Sequence, residues 1–140
     1  MSVETELVAY GRNGKYLRGV SLEIFGDAIS WLLNQYQDEF PYNFLSGLSP
    51  ESEPCTSGHR FAEAGLVSRL LRFLDSLVIG DLLAIVDGPA MERSGVYPVQ
   101  TGFWLSESAV RDLGEVFVAM KQFGSDCLKL DVGSIAVSSL

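Results

Sequence analysis

A tight-turn signal near the start of the chain constrains the fold more than any other feature of the sequence. Residues 11–14 read Gly-Arg-Asn-Gly and lie between two short apolar stretches, at residues 7–10 and 16–20. Asn-Gly supplies the positive φ angles that a tight β-hairpin turn requires. The sequence therefore predicts a hairpin within residues 5–25, whose second strand extends to about Phe25.

Apolar residues spaced three and four positions apart predict three helices. These helices cover about Asp27–Asp38, His59–Leu77 and Glu107–Phe123. For the first helix, a start at Ser21 fits the spacing as well. Side chains suited to helix ends border two of the three helices, namely Asp27, Ser106 and Gly124.

Three further stretches have the composition of strands. Leu82–Val86 is a short apolar run, Val96–Trp104 is rich in β-branched and aromatic residues, and residues 128–132 alternate apolar and charged side chains. Gly133 marks a bulge or a turn, after which residues 135–137 continue the last strand. Hairpins interspersed with helices favour an α+β fold with a mainly antiparallel sheet and about three helices.

The length of 140 residues fits a single domain spanning the whole chain. No stretch approaches the roughly 20 consecutive apolar residues that span a bilayer. The first residues include Glu4 and Glu6 and lack the continuous apolar run of a signal peptide. We therefore expect a cytoplasmic protein.

The net charge of −8 and the pI of about 4.5 narrow the classes of partner. An acidic surface repels phosphate backbones and anionic lipid, so we expect neither nucleic-acid nor membrane binding. The same surface attracts a basic protein. The alternative is that the charge only keeps the protein soluble.

Few residues suggest chemistry. Cys55 lies four positions before His59, the sole histidine, and this pair could form a nucleophile or two zinc ligands. A structural zinc site needs four ligands, and Cys127 is the one further cysteine or histidine. Asp75, Asp81 and Asp87 fall where elements are predicted to end, which is expected of capping carboxylates. We therefore expect no enzymatic activity, no metal and no cofactor.

The most suggestive segment follows the first predicted helix and enters a loop predicted for residues 40–58. Rings and carboxylates alternate there, as in an interface with a basic partner. The predicted partner-binding residues are Tyr36, Asp38, Glu39, Phe40, Tyr42 and Phe44, with Glu51 and Glu53 further along the loop. The alternative is that these rings fold back over the core.

A small, acidic, single-domain chain without a catalytic motif resembles the bacterial immunity proteins that guard against nuclease toxins. The resemblance is one of class and transfers no functional residues. It implies tight binding to a basic toxin domain, with acidic side chains taking the place of the toxin's anionic substrate. Two alternatives stay open: a dimeric acidic chaperone for a secreted effector, and a small-ligand protein or enzyme whose site the sequence does not reveal.

Overall fold

The computed structural model describes residues 4–33, 35, 53–55 and 58–139, and the side chains of 4–33, 35 and 60–138. It confirms an α+β fold with an antiparallel sheet and three helices of more than two turns. In chain order the elements are β1 (Thr5–Gly11), β2 (Tyr16–Ser21), α1 (Gly26–Leu33), β3 (Glu53–Cys55), β4 (Gly58–Phe61), α2 (Ala64–Asp75), α3 (Ile79–Ala84), α4 (Gly88–Arg93), a 3-10 helix (Phe103–Leu105), α5 (Glu107–Cys127) and β5 (Val132–Ser139).

The sheet has the strand order β2-β1-β5-β4-β3, and each neighbouring pair is antiparallel. The predicted hairpin is confirmed, and Gly14 adopts φ +80° in its turn. The strand predicted to reach Phe25 ends earlier, at Ser21. Leu22 still donates its N–H to the carbonyl of Thr5 at 2.7 Å, but Glu23 has a φ of +53° and the N–H of Phe25 donates to the carbonyl of Leu22 at 3.0 Å, and this turn takes the chain out of the sheet.

The first predicted helix begins one residue before Asp27, and the alternative start at Ser21 is wrong because Ser21 ends β2. Asp27 is not the N-cap of α1. Its carboxylate accepts the backbone N–H of Tyr97 at 2.9 Å and so ties the helix to a distant loop. Residues 34 and 36–38 of the prediction lie outside the described residues.

The last strand confirms a bulge at Gly133, because the register between β1 and β5 shifts between Tyr10 and Gly11. A Cβ at Gly133 would lie 2.9 Å from the Cα of Arg12, so the position requires glycine. The strand predicted for residues 128–132 is wrong. Helix α5 continues to Cys127, and the residues that follow form a turn before β5 starts.

The described part of the predicted loop at 40–58 contains strands, which corrects that prediction. His59 lies in β4 and not at the start of a helix. The strand forms because it pairs with β5, with Phe61 opposite Ile135, and such a long-range ladder leaves no local signal. Helix α2 starts at Ala64, after Glu63 caps it. Pro54 lies in β3, the last strand in the order of the described sheet. An edge strand tolerates a proline, which has no N–H to donate.

The predicted strands Leu82–Val86 and Val96–Trp104 are both wrong. Residues of the first form α3, in which Leu82 alone is buried, so burial follows one side of a helix. The second stretch is a loop that ends in the 3-10 helix, and it contains a cis peptide before Pro98 and a left-handed Gly102. Proline and glycine in the stretch are the local signals that argue against a strand.

Helix α5 starts at Glu107 as predicted but passes through Gly124. A Cβ at Gly124 would lie 2.7 Å from the Cβ of Leu74, so this glycine lets α5 approach α2 and does not end the helix. The side chain of Ser106 forms no cap and pairs instead with the hydroxyl of Ser108 at 2.8 Å.

The core lies between the sheet and the helices. Side chains alternate between the two sides of a strand, and in β1 Leu7 and Ala9 lie on the buried side. Ala9 is opposite Ile135 of β5, and Ile135 is opposite Phe61 of β4. These side chains belong to one apolar cluster with residues of all five helices. Its members in the helices include Ile29, Leu32, Leu70, Leu74, Leu82, Met91, Leu113 and Phe117.

Candidate functional site

The segment predicted to bind a partner lies mostly outside the described residues. This applies to Tyr36, Asp38, Glu39, Phe40, Tyr42, Phe44 and Glu51. Glu53 is placed by its backbone as the first residue of β3. The role of the segment therefore stays a prediction.

Within the described chain, a surface that combines exposed apolar side chains with negative charge lies around α4 and the 3-10 helix. An open depression of about 480 Å³ is lined there by Pro89, Glu92, Arg93 and Leu105. We call it the Leu105 depression. Leu105 is 62% exposed, and Val99 in the preceding loop is 68% exposed. Large apolar side chains left this accessible are candidates for contact with another molecule.

Short-range contacts hold both walls of the Leu105 depression in place. The Asp87 carboxylate caps α4 by accepting the N–H of Ala90 at 3.0 Å. Across from it, the indole N–H of buried Trp104 donates to the carbonyl of Val96 at 3.1 Å. The Glu92 carboxylate accepts the N–H of Gly102 at 3.3 Å and links α4 directly to the turn before the 3-10 helix.

Aromatic packing adds to this support. The ring of Trp104 meets Phe103 edge to face at a centroid distance of 5.0 Å, and meets Phe25 at 6.1 Å. Because Phe25 immediately precedes α1, these contacts join the 3-10 helix to the core. The depression therefore lies over side chains that are already packed. We expect such a surface to bind a partner with little change in its own conformation.

Negative charge dominates the chain around this depression. The stretch from Asp75 to Glu115 contains seven carboxylates and two arginines, Arg93 and Arg111. In the described residues, no carboxylate between Asp81 and Glu115 lies within ion-pairing distance of a basic side chain. Asp87 and Glu92 accept backbone N–H groups but keep their charge, so this stretch of the described chain carries an excess of negative charge that no ion pair neutralises.

Sequence reasoning missed the Leu105 depression because it placed a strand over Val96–Trp104. The charge of the stretch was readable, but its exposed leucine was not. Pro98 and Gly102 were the signals that could have redirected the interpretation to a loop.

A second concave region lies at the hairpin end of the molecule. Arg12 and Asp131 form an exposed ion pair with an N–O distance of 2.8 Å, and both line two shallow depressions. The hydrogen bond and charge of Asp131 raise the pKa of Arg12. Arg18 and Asp126 lie 3.9 Å apart nearby. Opposite charges are paired at this end, in contrast to the Leu105 depression.

Cys127 lines one of these depressions, is fully buried and is the last residue of α5. Burial raises the pKa of its thiol to about 11, an effect that nearby Arg18 opposes and Asp126 reinforces. A thiol with this pKa is a poor nucleophile at neutral pH.

The other residues considered for chemistry are placed as follows. The backbones of Cys55 and His59 lie in the paired strands β3 and β4, and their side chains are outside the described set. Asp75 ends α2, Asp81 lies in the first turn of α3 and Asp87 caps α4. Each aspartate thus lies at an element end, as predicted. The described residues contain no group of three or more His, Cys, Asp or Glu side chains that could hold a metal ion.

Comparison with protein families, curated proteins and solved structures finds no match for this chain. None of the helices in the described ranges has the length and apolar character needed to cross a membrane. The function is therefore inferred from the surface of the chain itself.

Proposed function

We propose that this chain is a protein-binding inhibitor that neutralises a basic protein, most specifically an immunity protein for a nuclease-type toxin. The observation that supports the proposal is the excess of carboxylates over arginines between Asp81 and Glu115, in the same stretch as the exposed side chain of Leu105. Carboxylates steer a basic partner to the surface, and apolar side chains supply contact area once it arrives.

The chemistry of a nuclease explains why an acidic protein can inhibit it. A nuclease site attracts phosphates with arginine and lysine side chains, so a surface of carboxylates complements the same site. The net charge of −8 gives the whole chain the sign needed for fast association with such a target. The inhibitor then competes with the nucleic acid for one basic surface.

Growth protection tests the proposal. Bacteria that produce a nuclease toxin domain, taken from a gene next to that of this chain where one is found, should stop growing and should recover when the chain is co-produced. The purified chain should also inhibit the purified toxin at a one-to-one ratio. A reversed-charge variant, Glu107→Lys, should protect less well. Unchanged growth arrest and undiminished toxin activity in the presence of the chain would exclude this function.

A further inference from the structure

We infer that the Leu105 depression is a contact surface for a basic protein segment that presents an apolar side chain flanked by lysine or arginine. The inference rests on the proposed function. It adds where on this chain the partner binds and which side chains the partner presents there. It also places the contact on residues distinct from the predicted segment Tyr36–Phe44.

Leu105 and Pro89 give the depression its apolar surface. The Leu105 side chain is 62% exposed although its neighbour Trp104 is 2% exposed. Leu105 and Pro89 lie on opposite walls of one depression. An apolar side chain entering between them would remove apolar surface of both from water, which favours binding.

The charges around the depression determine which residues of the partner can accompany that side chain. Glu92 lines the depression, Asp87 immediately precedes α4, and Glu107 lies two residues after Leu105; among the described residues that line it, Arg93 is the basic one. An acidic segment would meet repulsion from the three carboxylates. A segment with lysine or arginine beside its apolar residue would be attracted by these carboxylates. Arg93 can donate a hydrogen bond to one acceptor oxygen of the partner.

The rigidity of the two walls supports the same conclusion. The bond between Glu92 and Gly102 holds α4 against the turn before Leu105, and the Asp87 cap fixes the start of α4. A preformed site loses less conformational entropy on binding than a flexible loop does. Truncating Leu105 should therefore affect affinity without remodelling the surface.

An amphipathic helical peptide made of leucine and lysine is the probe. Its binding to the full chain is measured by calorimetry, and its location by changes in amide NMR shifts, at low and at physiological salt. The variants Leu105→Ser and Glu107→Gln are compared with Val118→Ser and Glu6→Gln. Val118 is a matched control because it is 56% exposed on α5, and Glu6 alternates with Leu7 to the other side of the sheet.

We expect the largest shift changes around Leu105 and Glu107. Leu105→Ser should weaken peptide binding about tenfold. Glu107→Gln should weaken it about twofold at low salt and less at physiological salt, where charges are screened over about 8 Å. Both controls should bind like the parent chain.

Two results would overturn the inference: equal binding by all four variants, or shift changes centred away from Leu105. The outcome is separable from that of the growth assay. A chain that protects cells while its Leu105→Ser variant binds the peptide normally retains the proposed function and loses this surface. A chain that binds the peptide at Leu105 but protects against no toxin retains the surface and loses the function.

Discussion

A Cβ atom on Gly88 would lie 2.6 Å from the carbonyl oxygen of Trp104. The first residue of α4 therefore packs directly on the backbone of the 3-10 helix, and this contact sets the separation of the two walls of the Leu105 depression. Any side chain at Gly88 must push these elements apart.

Gly88→Ala should consequently destabilise the protein by about 1–3 kcal/mol, the usual cost of overpacking a close contact. Gly80→Ala is the matched control, because a Cβ at Gly80 in α3 meets nothing within 4 Å. In a helix this control should be neutral or stabilising by up to about 1 kcal/mol. Urea unfolding of both variants measures the difference, and equal stabilities would show that Gly88 is not tightly packed.

Lys121 stabilises the end of α2. Its ammonium group donates hydrogen bonds to the carbonyl oxygens of Asp75 and, at 2.8 Å, of Leu77. Lys121→Met keeps the aliphatic part and removes both bonds, so it should cost about 1–3 kcal/mol of unfolding free energy. Lys129→Met, at an exposed position, should change it by less than about 0.5 kcal/mol. Hydrogen exchange should also quicken at the end of α2, and unchanged protection there would argue against this cap.

Glu63 makes the stability of α2 depend on pH. Its carboxylate accepts the N–H groups of Gly65 at 3.0 Å and Leu66 at 2.7 Å, and these bonds lower its pKa below the ordinary value of 4.5. Because the folded pKa is depressed, the stabilisation is present above pH 4.5 and is lost as the pH falls through the folded pKa.

Glu63→Gln should therefore lower the melting temperature at pH 7, and its difference from the parent should shrink below pH 4.5. Glu4→Gln, at an exposed carboxylate outside any cap, is the control. Thermal unfolding followed across this pH range tests the prediction. A difference between Glu63→Gln and the parent that stays constant with pH would contradict it.

Cys127 should resist thiol reagents in the folded chain. With a pKa of about 11, roughly one thiol in a thousand is ionised at pH 8, and the group is also buried. In a Cys55→Ser chain, a chromogenic disulfide reagent should react with Cys127 slowly in buffer and fast in urea. Stoichiometric reaction at the same rate in both would show that the thiol is accessible in the native state.

The segment Tyr36–Phe44 remains a predicted interface, argued from its rings and carboxylates. Asp38→Asn and Glu39→Gln should slow association with the basic partner and flatten its salt dependence. Tyr42→Ala should instead speed dissociation and cost about 2 kcal/mol if the ring is buried on binding. Binding kinetics at two salt concentrations separate these effects. If all three variants behave like the parent, the segment does not form the interface.

Local patterns were sufficient to predict the elements whose signals lie close together in the sequence. The turn at residues 11–14 specifies the first hairpin, and apolar spacing over many residues locates the central part of α2 and the start of α5. The net charge of −8 likewise follows from composition alone, and it carries the proposal of a basic partner.

Tertiary structure decided the rest, because those features depend on residues far apart in the chain. His59 belongs to a strand because β4 pairs with β5, and Gly124 lies inside a helix because α5 crosses α2 at that point. Leu82 lies in a helix although a short apolar run has no periodicity to distinguish helix from strand. The exposure of Leu105 has the same origin: packing of Trp104 against Phe25 and Gly88 determines which neighbouring side chain is left at the surface.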